Sequence, residues 1–433
     1  MHSSGATRFY AKLLAPNDNS KNQVHLGGDF GALNIIPHGE IQTDDSELAG
    51  AVRDRGKANA RFFWIDDAGL SEAPNTQLIL YPKYPEVRMS GFLKGASRAP
   101  RDLMVSRDEG RVLFLGICPD ARVIGFVVSR NASEAVFLST ISGDLDKSGV
   151  FLDLQSLFAA ETDGRTLLLR ELKRICEMGW ISSQKLNAMG EKLPYKARNG
   201  GGYTLEAELG VTPNGYAEPD FHGWEIKQYG VNDFSSFRPK SPVTLLTPEP
   251  TGGVYKEEGL HSFMTRYGYP DKNGVEDRVN FGGVYRIGEG FNKNTGVKLN
   301  ISGFDTLSGK ITDLNGSVFL TDAHENIAAS WRLTDFIAHW NRKHAKAAYV
   351  PSMTKPSPLS YRYGSRIELC EGTDVLLLIS AFARGEIYYD PGIKIENFSG
   401  PSPKAKKRSQ FRAKHSALAS LYRATQVHNL DSF

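Results

Sequence analysis

Residues 220–229, DFHGWEIKQY, leave the backbone few choices. Trp224 and Ile226 alternate with Glu225 and Lys227, which is the pattern of a strand with one face buried and the other polar. Read as a strand over His222–Tyr229, the segment sends Trp224 and Ile226 into a core and sets Glu225 and Lys227 side by side on the opposite face. Asp220 stands at a Pro-Asp turn just before it and reaches the polar face from the end. Upstream, Thr204–Leu209 reads as a short helix with Leu205 and Leu209 on one side, Glu206 on its flank and Gly210 as its stop. The glycine triplet 200–202 before that helix reads as a flexible loop.

Two carboxylates and an ammonium on one face suit chemistry at a hard divalent cation. Asp220 and Glu225 would hold magnesium against a scissile phosphate, and Lys227 would orient or deprotonate a water or steady the developing charge. Glu206 would support a second metal or the water. The spacing D-x4-E-x-K is weak evidence alone, and its competitor is a solvated strand edge carrying an ordinary ion pair. Gly223, which allows close backbone approach, the strict alternation and the preceding helix favour the catalytic reading.

The run TLEAELG…PDFHGWEIK…VTLLTPEP resembles the catalytic core of the MvaI/BcnI-type restriction endonucleases, relatives of the MutH nicking enzymes. The resemblance implies an α/β C-terminal nuclease domain of the PD-(D/E)xK, MutH-like kind. In it Glu206 matches the helix acid, Asp220 and Glu225 the metal-binding acids, and Lys227 the catalytic lysine. It extends more loosely over Ser330–Val350 and Ser409–Tyr422. In that family an Asp on a strand and an Arg just before the last helix read guanine–cytosine pairs, and Asp390 and Arg412 are the corresponding positions. Pro-Gly after Asp390 replaces the basic residue that relatives carry there.

Length and composition bound the alternatives. A chain of 433 residues divides into two or three domains, each able to bury a core. No apolar run approaches the roughly 18 residues of a membrane span, and the first residues lack an apolar signal core. Cys118, Cys176 and Cys370 are odd in number and widely spaced, which gives neither a disulfide framework nor a zinc pattern and fits a cytoplasmic protein. No phosphate-binding glycine loop and no serine elbow occurs, so nucleotide hydrolysis and serine-type catalysis are set aside.

Along the chain, residues 1–145 read as mostly β, with short apolar segments at Arg61–Ile65, Thr76–Tyr81, Val112–Ile117, Val123–Val128 and Ala135–Leu138, and one helical stretch at Leu48–Arg53. Residues 146–164 read as a linker, and 165–433 as the nuclease domain, opening on the helical spacing of LLLRELKRICEMGW. The segments FYAKLLAPNDNSKNQVHLGG and PEVRMSGFLKGASRAP resemble the effector-binding domain of EcoRII, a DNA-binding pseudobarrel. That resemblance implies two arms in the major groove, with Lys21, Asn22 and Gln23 on one and Arg88, Lys94 and Arg98 on the other. The competing reading for each is a solvated surface loop. Joining such a module to an MvaI-like nuclease resembles a monomeric restriction enzyme, which implies a monomer.

Pro401–Lys414, PSPKAKKRSQFRAK, carries Lys404, Lys406, Lys407, Arg408, Arg412 and Lys414 with no acid between Asn397 and Asn429. It reads as a phosphate-binding patch followed by an ordered helix, against the alternative of a solvated basic tail. Together these features predict a magnesium-dependent, type IIE-like restriction endonuclease. It would cut double-stranded DNA at a short CC-x-GG site such as CCWGG and bind a second copy through its N-terminal domain. The rivals are a strand-nicking repair endonuclease, a non-catalytic DNA-binding regulator and a metal-dependent enzyme on another substrate.

Overall fold

A computed structural model describes residues 1–16, 23–44, 47–48, 51–52, 55–83, 85–158, 164–197, 199–211 and 219–433. The chain divides into one unit of Met1–Leu167 with Asn341–Ala345 and a second of Leu168–Trp340 with Lys346–Phe433.

The first unit is built of β-strands, as alternating apolar residues and frequent turn residues dictate. One seven-stranded sheet contains Arg8–Leu14 between Arg111–Ile117 and Phe151–Asp153, and continues through Arg122–Val128 and Arg61–Asp66 to the edge strand Gly69–Glu72. A second, five-stranded sheet runs Gln23–His25, Glu86–Ser90, Gln77–Tyr81, Gly56–Asn59, Gln42–Thr43. Both strand orders are open, and no closed barrel forms among the described residues.

Three local expectations fail here. Ala135–Leu138 lies inside a helix, Ser133–Ile141, whose buried Ala135 and Leu138 face the core while Val136 and Phe137 stay exposed; four apolar residues alone do not separate strand from helix. The helix expected near Leu48 is instead a pairing of Glu47–Leu48 with Ala51–Val52. The start of the expected linker is sheet edge, since Lys147–Ser148 pairs with Phe151–Asp153, which pairs with Arg8–Leu14.

In the second unit the long strand Lys346–Pro356 is central. Glu225–Gly230 pairs with it in parallel, and Arg366–Glu371 and Leu359–Tyr363 pair with it antiparallel. Ala424–Asn429 extends the sheet beyond Arg366–Glu371. One face of this sheet carries Trp224, Ile226, Ala348, Val350, Ile367 and Leu369, buried against two helices. The helix Gly164–Glu177 brings Leu168, Leu169, Leu172 and Ile175 to that face at helical spacing, and the helix Gly200–Glu208 brings Leu205. Smaller antiparallel sheets complete the unit. One joins Val243–Leu246, Phe411–Ala413 and Ile387–Tyr389, and another joins Tyr269–Pro270, Arg278–Gly282, Gly392–Glu396 and Lys404–Lys406. Trp331, Tyr389, Phe336 and Phe382 pack around the Phe411 ring, with centroids 5.0–5.5 Å from it.

Candidate active site

The strand that carries Glu225 and Lys227 begins three residues later than its alternation suggests, at Glu225. Phe221 and Trp224 bridge a tight turn, with His222 and Gly223 both at positive φ. That turn fixes Asp220: its Oδ2 accepts the Ile226 N–H at 2.9 Å, which aims the carboxylate along the start of the strand. Glu225 is 1% exposed, and its Oε1 lies 2.5 Å from Lys227 Nζ. Burial pulls the Lys227 ammonium toward deprotonation, but Glu225, then Asp220 and Glu206, outweigh it and raise the pKa above the ordinary lysine value. Of the four predicted side chains, Glu225 and Lys227 are in direct contact, and Asp220 is held at the start of the same strand.

Glu206 owes its place to a helix that starts earlier than expected. Gly200–Gly202 is its first turn rather than a loop. A Cβ on Gly200 would collide with Ser183 Oγ, and one on Gly201 would stand 2.9 Å from Gln228 Oε1. Gly200 and Gly201 are therefore close-packed against the sheet, and the Tyr363 hydroxyl pins them by donating to the Gly201 carbonyl at 2.7 Å. Two residues beyond Glu206, Glu208 is buried with Lys192 Nζ at 2.7 Å, a structural ion pair.

The donor set fits a hard cation. Asp220 and Glu225 offer carboxylate oxygens, and the strand Glu225–Gly230 itself carries no thiol or imidazole. Among the described residues no group of three His, Cys, Asp or Glu forms a complete cage. Two carboxylates completed by water and phosphate oxygens are how magnesium is usually held.

The predicted DNA contacts are placed unevenly. Asp390 and Arg412 come together: Arg412 Nη1 donates to Asp390 Oδ2 and Nη2 to the Pro242 carbonyl, each at 2.7 Å. Arg412 sits on the strand Phe411–Ala413, and the segment after it, His415–Leu421, is a 3-10 turn rather than an α-helix. Lys404–Lys406 is an exposed strand, so the basic segment is not a tail. Nor is it wholly uncompensated, because Glu249 lies 3.9 Å from Lys407. Lys406 and Arg408 line a cleft of about 420 Å3 together with Lys272, Lys394 and Asn280. Lys272 lies far away in sequence and Lys394 on the paired strand opposite Lys406, and neither carried a signal of its own.

In the first unit Gln23 and Arg88 sit on paired strands, with Arg88 Nη1 donating to Gln23 Oε1 at 3.3 Å. Arg88 also meets Glu86 at 2.7 Å and lies over the Tyr81 ring. Lys94 and Arg98 are exposed, and Arg98 pairs with Asp66 at 2.9 Å. Lys21 and Asn22 lie outside the described residues.

Sequence reasoning missed the polar surroundings of Lys227. Tyr349 lies opposite it in register, and Glu368 lies opposite Tyr349. His415 packs on Tyr229 with ring centroids 4.3 Å apart. These residues are scattered singly through the chain; strand register gathers Tyr349 and Glu368, and the 3-10 turn brings in His415.

No helix among the described residues is long and apolar enough to cross a membrane. No curated protein matches this chain. Among solved structures, it is similar to restriction endonuclease MvaI with its cognate DNA substrate, at 20% identity and TM-score 0.46, and to MvaI in the absence of DNA, at 19% and 0.35. Each alignment covers 62% of this chain and 99% of the other. Residues 169–422, more than half of the chain and spanning Glu206, Asp220, Glu225 and Lys227, match the MvaI/BcnI restriction endonuclease family, to which this chain belongs.

Proposed function

We propose that the protein is a magnesium-dependent type II restriction endonuclease that hydrolyses double-stranded DNA at a short site of the CC-x-GG kind, with CCWGG the first candidate. The observation that carries this reading is the pairing of Glu225 with Lys227 beside an Asp220 fixed at the start of the same strand. Asp220 and Glu225 would hold the ion, Asp220 being aimed by the Ile226 N–H. Bound there, magnesium would supply Lewis-acid charge neutralisation at the phosphate and a more acidic water. Lys227, kept as an ammonium by the carboxylates around it, orients the attacking water and meets the charge that builds on the phosphate oxygens. Glu206 completes the acidic rim on the water side. Asp390 and Arg412, already paired, would read a guanine–cytosine pair through the two partners such a pair presents in the major groove. Lys407 and Arg408 would meet phosphates.

The N-terminal unit is read as an accessory DNA-binding domain of the pseudobarrel kind, which would make the enzyme type IIE-like. Gln23 and Arg88 support this, since adjacent strands bring together an amide and a guanidinium suited to base edges. We further infer a cytoplasmic monomer that binds two DNA copies.

The test is digestion of a sequenced plasmid with magnesium, beside the Asp220→Ala protein, followed by end sequencing. Discrete linear fragments from the wild type alone support the reading and reveal the cut site. Nicked circles alone would replace it with a strand-nicking enzyme. An intact plasmid with salt-sensitive DNA binding would leave a regulator.

A further inference from the structure

The catalytic strand and the strand that carries Arg412 are joined by an unexpectedly short route. Only Ala413 and Lys414 separate Arg412 from His415, which opens the 3-10 turn His415–Leu421. His415 lays its ring on Tyr229 at 4.3 Å between centroids. Tyr229 lies two residues beyond Lys227, on the same face of the same strand, and is 6% exposed. On its other side, His415 Nε2 stands 3.3 Å from Glu368 Oε2.

The far end of the turn is fixed to the same polar face. Tyr422 and Tyr349 share a hydroxyl–hydroxyl hydrogen bond of 3.1 Å, and Tyr349 is the residue opposite Lys227 in register. Thr373 Oγ1 donates to the Leu421 carbonyl at 2.6 Å, and Leu418 and Leu421 are fully buried. The turn is therefore anchored at Leu421 and Tyr422, and its leading residue spans from the Arg412 strand to the catalytic strand.

We propose that His415 is a positioning residue that couples the seating of Arg412 on DNA to the placement of Lys227, through its ring contact with Tyr229. The proposal rests on the DNA-cleavage reading above. Arg412 is tied to Asp390 and the Pro242 carbonyl through two of its five N–H donors, so a base that it meets pulls on a side chain already fixed to its surroundings, and Ala413 is held by backbone pairing to both Val243 and Ile387. A shift at Arg412 therefore passes along the strand into His415. A displacement near 1 Å at a reacting group costs about 100-fold in rate, so a small adjustment of Tyr229 and Lys227 is enough to separate a correct site from an incorrect one. Burial, and then Arg366, hold the His415 imidazole below its ordinary pKa, which keeps the ring neutral and suited to stacking on Tyr229.

The test uses the full chain, magnesium and a duplex carrying the site that the wild type cuts. Single-turnover rates at saturating DNA are measured for wild type, His415→Ala, Arg412→Ala and the double variant, with DNA affinity measured in calcium. The expected result is a rate loss of about tenfold or more for His415→Ala with affinity unchanged, and little further loss when it is added to Arg412→Ala. Independent, multiplying losses overturn the coupling, as does a His415→Ala protein with wild-type rate or one whose rate and affinity fall together. Should His415→Ala fail to fold, Tyr229→Leu breaks the same contact from the other side and is read in the same way. A wild-type protein that cuts no duplex refutes the cleavage reading itself, whatever the variants do.

Discussion

Lys227 Nζ lies 2.5 Å from Glu225 Oε1, an ammonium held against a carboxylate that is 1% exposed. A buried pair of this kind is costly to break from one side, by about 3–5 kcal/mol, because the remaining charge loses its partner. Asp220 and Glu206 add to Glu225 in favouring the charged form of Lys227.

Lys227→Met should therefore have two opposite effects. Without metal the acids are left to repel one another, and the melting temperature in EDTA falls. A divalent cation then has more to neutralise, so added magnesium raises the melting temperature of the variant by more than that of the wild type. Cleavage falls by about 100-fold or more, the size of loss seen when one transition-state interaction is removed. A variant whose melting is indifferent to magnesium would remove Asp220 and Glu225 as the metal-binding pair.

Asp390 and Arg412 hold each other at 2.7 Å, so neither is a simple surface charge. Arg412→Ala should cost about 1–3 kcal/mol of discrimination at one base pair, read as a roughly 5- to 150-fold drop in the cleavage ratio between the preferred site and a site changed at that pair. Affinity for unrelated DNA should change much less. Equal effects on both DNAs would make Arg412 a phosphate-binding residue instead.

The basic strand makes a different prediction, about salt. Lys404 and Lys406 are exposed, and Arg408 lines the neighbouring cleft. If they meet phosphates, replacing all three by alanine reduces the slope of log K against log salt by about 0.9 for each phosphate that is no longer neutralised. Binding titrations between low and moderate salt measure this. An unchanged slope would turn the strand away from the DNA.

The acidic strand was legible because its information is local. Alternation of Trp224 and Ile226 with Glu225 and Lys227 states both the face and the chemistry. The glycine triplet misled for the opposite reason: glycine reads as flexibility, while Gly200 is set by Ser183 and Tyr361, both remote in sequence. Ala135–Leu138 misled because four apolar residues fit a strand as well as a helix, and the burial of Ala135 and Leu138 decides it. Tyr229, Tyr349, Glu368 and His415 come from separate segments, and no spacing rule joins residues that meet only through strand register and a ring contact.

The glycine triplet offers a sharp test, because two of its members should respond with opposite signs. Alanine in a helix is ordinarily favoured over glycine by about 1 kcal/mol. At Gly202 the new Cβ meets nothing closer than Glu206 Oε1 at 4.0 Å, so Gly202→Ala should stabilise the C-terminal unit by about 0.5–1 kcal/mol. At Gly200 the Cβ would collide with Ser183 Oγ and lie 3.1 Å from the Tyr361 hydroxyl. Overpacking of this kind costs about 1–3 kcal/mol, which exceeds the helical gain. Gly200→Ala should therefore destabilise the same unit and, by tilting the helix that carries Glu206, slow cleavage. Denaturant midpoints for the two variants, beside their cleavage rates, give the answer. If both glycines respond alike, the triplet is a loop after all, and the helical placement of Glu206 falls with it.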